Sequence, residues 1–158
     1  MTAVTFRAWA LTVVCLSGAC VVDASESLYA RLGGASGVET IADTLIDRVV
    51  ADPVMGPSFQ DAKLDRIKQL LAEQICDLSG GPCRYSGDSM KEVHAGHHIS
   101  EAQFYRMVDT LRDILRERRV AQRSTNQLLR LLAPMKRDVI EHDPERPVSL
   151  RSASAASP

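Results

Sequence analysis

Apolar residues recur every three or four positions along the body of this chain, and strict alternation is absent. That spacing places them on one face of a helix, so it confines the chain to packing helix against helix. Val38, Ile41, Ala42, Leu45 and Val49 form the first stripe, and Pro53, Gly56 and Pro57 break it into a loop. Leu64, Ile67, Leu71, Ile75 and Leu78 form the second. It should end at Gly80-Gly81-Pro82, where glycine supplies a left-handed cap and proline blocks continuation. A looser stretch, 83–88, leads to a short helix expected around Ser89 to Gly96. Ser100 and Gln103 read as a capping box opening a helix with Phe104, Met107, Val108, Leu111 and Leu115. Ser124 and Gln127 read as the same signal before Leu128, Leu131, Leu132, Met135 and Val139. Pro134 inside that last pattern predicts a kink or a broken turn, because proline removes a helical donor. The expected fold is all-α.

The two ends of the chain differ from this body. Arg7 precedes a nearly unbroken run of apolar and small residues, Ala8 to Ala19, suited to a secretory signal and too short to span a bilayer. Val22-Asp23-Ala24 places small residues where a signal peptidase reads, so residues 1–24 are expected to be removed and the protein exported, to a periplasmic space. Ser17-Gly18-Ala19-Cys20 offers lipid attachment at Cys20 as the alternative, weakened by Ser17 where leucine is usual; only then would a membrane be a partner. Residues 143–158 are rich in Pro, Ser, Ala and Arg and are expected to be disordered, which leaves one domain over 25–142. A net charge of −1 gives no electrostatic footprint for nucleic acid.

Without residues 1–24, Cys76 and Cys83 are the only cysteines. Seven positions apart in an oxidising compartment, they are expected to close a disulfide contributing about 2 kcal/mol. The alternative is two free thiols, which with His94 and His97 or His98 would offer zinc ligands, although the spacing is wider than zinc sites use. Three of the four histidines cluster at 94, 97 and 98. On a helix, His94 shares the face of Met90 and neighbours Val93. A neutral imidazole on an apolar face can give one nitrogen to a metal and donate from the other to a carbonyl. Alone, that pattern is more often a packed or half-exposed histidine than a ligand. Arg116-Glu117-Arg118-Arg119 reads as a solvated helix end whose cations suit the helix dipole.

Several segments together carry more. Ser27-Leu28-Tyr29-Ala30-Arg31-Leu32-Gly33-Gly34, then Arg48-Val49-Val50-Ala51-Asp52-Pro53, then Phe59 stand in order. Gly80-Gly81-Pro82, Tyr85-Ser86-Gly87 and Met90-Lys91-Glu92-Val93-His94-Ala95-Gly96 follow, then Ile99-Ser100, Phe104 and Leu132-Ala133-Pro134-Met135. Over residues 26–141 this series resembles the group I truncated haemoglobins. The resemblance implies a truncated globin fold, two helices over two around one heme b held without a covalent bond. It implies His94 as proximal ligand to the iron and Phe59 packed on the heme face. Tyr85, Met90, Val93, Ile99 and Phe104 would line the pocket; Lys68 or Arg66 would either pair with a propionate or lie on a solvated face, and His97 and His98 read as surface histidines in preference to a propionate contact from His97. No Cys-x-x-Cys-His motif for covalent attachment is present.

The sequence departs from that family on the distal side. Where many members carry a tyrosine in the first long helix and a glutamine in the second, this chain has Ile46 and Leu71. Ile67 stands at the usual position above the iron, with Ile75 further along. All four are aliphatic and none can donate a hydrogen bond. The resemblance therefore implies reversible binding of a diatomic gas (oxygen, NO or CO) in an apolar pocket, served by an unidentified electron donor. An enzyme turning over NO, nitrite or peroxide at the same heme is the alternative, and it lacks the polar group above the iron that peroxide chemistry uses.

Overall fold

A computed structural model of the chain describes residues 26–140, and all regular structure among them is helical. The expected leader, 1–24, and tail, 143–158, lie outside the described residues. Seven α-helices follow in order: α1 Leu28–Arg31, α2 Gly34–Ala51, α3 Leu64–Leu78, α4 Met90–His94, α5 Glu101–Glu117, α6 Gln122–Leu132 and α7 Lys136–Val139. Gly56–Phe59 and Ala133–Met135 are 3-10 turns. The four long helices carry the four apolar stripes. The turn at Ala133–Met135 is the break that Pro134 imposes.

The helix ends follow from local chemistry. Ser27 caps α1, and Gly33, at φ +100°, turns the chain into α2. Helix α3 closes as expected on Gly80, in the left-handed region at φ +81°; Gly80 N–H donates to Asp77 O and Gly81 N–H to Cys76 O. The same closure ends α5 with Arg119 in the left-handed position, φ +57°, and Val120 N–H on Leu115 O. The capping box at Ser100 and Gln103 is formed in both directions.

The capping reading at Ser124 and Gln127 does not hold. After the left-handed turn at Arg119 the chain re-enters a helix at once, so α6 begins at Gln122 with Ala121 at its cap. Ser124 then falls inside the first turn, buried, and its Oγ accepts from Arg31 Nε at 3.0 Å. Gln127 accepts from the same guanidinium at 2.6 Å. The two polar side chains tie α6 to α1 instead of capping α6.

Helix α2 packs against both α3 and α5, and α5 meets α6. The solid core joins Leu28 and Leu32 to Val38, Ile41, Leu45 and Val49 of α2, then Ile75 and Cys76 of α3, Leu111, Ile114 and Leu115 of α5, and Leu128 of α6. Cys76 and Cys83 are joined in a disulfide, as expected. Within α3 and α5 burial is uneven. Ile67, Leu70 and Leu71 in the first half of α3 are only half-buried, whereas Gln74, Ile75 and Cys76 are buried. In α5, Phe104, Met107 and Val108 are half-buried and Leu111, Ile114 and Leu115 are buried. Each helix thus runs from an incompletely covered apolar wall into a finished core.

Candidate functional site

His94 is the last residue of α4, a helix of five residues. A helix that short has no stability of its own. Its N-terminus is fixed by a capping box: Ser89 Oγ accepts from Glu92 N–H at 3.3 Å, and Glu92 accepts from Ser89 N–H at 3.0 Å. The hydroxyl and N–H of Ser89 hold the Glu92 carboxyl below the usual glutamate range. His94 Nδ1 lies 2.7 Å from Met90 O, one turn back. A carbonyl can only accept, so Nδ1 carries the proton, and in the neutral ring Nε2 then keeps its lone pair. His94 is half-buried, and in the neutral ring its Nε2 is suited to ligating a metal.

The connection from α3 to α4 is pinned along one side of α3. The disulfide holds Cys83, Asp77 accepts from Tyr85 N–H at 3.1 Å, and Glu73 accepts from Ser86 Oγ at 2.7 Å. The Ser86 hydroxyl is the main reason Glu73 sits below its ordinary range. Tyr85 is half-buried, with its hydroxyl donated to Asp88 O at 2.9 Å; burial pushes that phenol up, and the nearby Asp88 and Glu73 add to the shift.

The other predicted residues fall into three groups. Phe59, Ile67, Leu71, Met90, Ile99 and Phe104 are half-buried. Ile46 and Ile75 are enclosed by protein, and Ile75 belongs to the solid core. Val93 lies at the surface, 36% exposed. Lys68 pairs with Asp47 of α2 at 2.6 Å, which raises its ammonium above the ordinary lysine range, and Arg66 donates to Gln69 Oε1. His97 and His98 are exposed. Because both thiols are spent in the disulfide, the zinc reading loses its two sulfur ligands.

Two features escaped the sequence reading. One is the Ser89–Glu92 box, whose S-x-x-E spacing was available as a signal. The other is Gln74, buried at 8% exposure, whose amide Nε2 donates to Met90 Sδ at 3.4 Å and Met135 Sδ at 3.6 Å. It stands three residues after Leu71 on the stripe but was passed over as polar.

The half-buried side chains Ile67, Leu71, Met90 and Phe104 are apolar, the chemistry that an apolar ring would cover. Solvent-facing apolar wall of this extent is costly at roughly 25 cal/mol per Å². Among the residues around it, the His94 ring offers a nitrogen suited to iron.

Comparison with known proteins agrees with this geometry. The profile of the bacterial-like globin family matches residues 27–141. A group 1 truncated hemoglobin of Mycolicibacterium paratuberculosis is 30% identical over 109 residues, covering 69% of this chain and 80% of that protein. One from Chlamydomonas moewusii is 30% identical over 118 residues, covering 72% and 68%. The Fe(III) crystal structure of the Tetrahymena pyriformis truncated hemoglobin superposes with a TM-score of 0.70 at 22% identity, covering 74% of this chain and all of that one. Its fold is the all-α, two-over-two helical sandwich expected from the sequence. The chain belongs to the bacterial-like globin family, among its group 1 truncated hemoglobins.

Proposed function

We propose that this globin binds a diatomic gas reversibly at the iron of one heme b, held by His94 without a covalent bond to the chain. The observation that carries the reading is the 2.7 Å approach of His94 Nδ1 to Met90 O, which in the neutral ring commits Nδ1–H to the carbonyl and leaves Nε2 for a metal. The heme supplies the iron at which the gas binds. The chain supplies the rest. Met90 O orients the imidazole and raises its basicity. Phe59, Ile67, Leu71 and Phe104 would cover the porphyrin and exclude water. On the distal side Ile46, Ile67 and Leu71 provide no donor. Dioxygen, which draws negative charge when bound, loses the help a donor gives, whereas CO and NO need it less.

Adding hemin to the purified chain tests the assignment. The expected result is stoichiometric uptake with a sharp Soret band, and its loss in His94→Ala while helical content is kept. Folded wild-type protein that takes up no heme would overturn it.

A further inference from the structure

Among the buried polar side chains, Ser79 donates to main-chain carbonyls and Ser124 accepts from a guanidinium. Gln74 differs from both. Its amide is buried against apolar neighbours and donates to two thioethers, which are weak acceptors. Burying an amide there costs more than burying leucine would. What the amide provides in return is direction. It joins α3 to α4 through Met90 and to the Pro134 turn through Met135, three elements that leucine would only touch.

Met90 then acts twice. Its sulfur accepts from Gln74, and its carbonyl accepts from His94 Nδ1 at 2.7 Å. We infer that Gln74 is a positioning residue for His94, acting through Met90 to fix the rotation of the imidazole and the strength of its Nδ1 hydrogen bond. The inference rests on His94 being the iron ligand. It needs no contact between Gln74 and the heme or the gas. The physical requirement is that α4 be too short to hold its own axis, which five residues ensure. The capping box fixes its first turn; the Gln74–Met90 contact fixes its rotation about that anchor.

The test is a double-mutant cycle on the ferrous, heme-loaded full chain. Gln74→Leu removes the donor at similar volume. Met90→Leu removes the acceptor sulfur and keeps the carbonyl that His94 uses. The readout is the iron–histidine stretching band by resonance Raman, with the rate of heme loss to an excess of a heme scavenger as a second measure. In each single variant the band should fall in frequency and broaden, because a loosened Nδ1 hydrogen bond leaves a less basic imidazole. Heme loss should rise about tenfold, the lower end of what outer partners of a metal ligand contribute. The double variant should be no worse than either single one, since both remove the same link. An unchanged band in Gln74→Leu, or effects that simply add, would overturn the inference. If Gln74→Leu does not fold, Met90→Leu decides alone: an unchanged band and unchanged heme loss would overturn it. Absence of heme uptake by the wild-type chain would instead sink the ligand assignment, and the inference with it.

Discussion

In the proposed heme site, Ile67 and Leu71 would set the chemistry of the distal face more than any residue around His94. Both are half-buried on the first half of α3, and neither offers a proton. A hydrogen bond to a charge-bearing partner is worth about 1.5–3 kcal/mol, roughly ten- to a hundredfold in a rate if it acts only on the bound state. Leu71→Gln should therefore slow oxygen release by roughly ten- to a hundredfold and CO release far less. Stopped-flow displacement and flash photolysis of the two complexes measure this. Equal slowing of both would show a closed pathway rather than a donor. At this scale the sequence was legible for burial and pairing, as at the core leucines and at Cys76 and Cys83. It was not legible at Gln74, because a polar residue on an apolar stripe looks like a margin of the helix. Only the three-dimensional meeting of Met90 and Met135 shows that the amide has partners inside. Nor was it legible at Ile75, where periodicity says buried without saying against what.

Helix α4 and the segment before it behave as one unit. The disulfide, the Asp77–Tyr85 bond and the Glu73–Ser86 bond hold the approach, and the Ser89 box holds the start. Replacing both cysteines, Cys76→Ser with Cys83→Ser, should cost about 2 kcal/mol in denaturant unfolding. Hydrogen exchange should quicken over 83–94 while the protection of α2 and α5 is retained. Protection lost equally everywhere would show that the bridge serves the core instead. The helix boundaries were largely readable from stripes, glycines and Pro134. The exception, α6, has a general cause. A cap motif specifies which N–H groups it can reach, not that the helix must start there. The left-handed turn at Arg119 came first and released Ser124 and Gln127 to bind Arg31.

Across the whole molecule the finished core and the open wall occupy different halves of the same helices. Leu115, Ile114, Leu111 and Leu128 are buried in one core with residues of α1 and α2, whereas Ile67, Leu71 and Phe104 stay half-buried, with Leu71 packed against the edge of that core. The chain without heme should therefore keep most of its helical circular dichroism and unfold cooperatively. Added heme should raise its unfolding midpoint with concentration, by about 2.7 kcal/mol of stability at a hundredfold excess over the dissociation constant. A heme-free chain with no cooperative transition would contradict this. The two-over-two arrangement itself was read from family likeness, since stripes count helices but do not order them in space. One consequence of the divided core concerns the order of manufacture. A scaffold that closes on its own side chains can be completed before its pigment arrives. Such a chain can be made colourless and loaded afterwards, and its working population would then be set by heme supply as well as by synthesis.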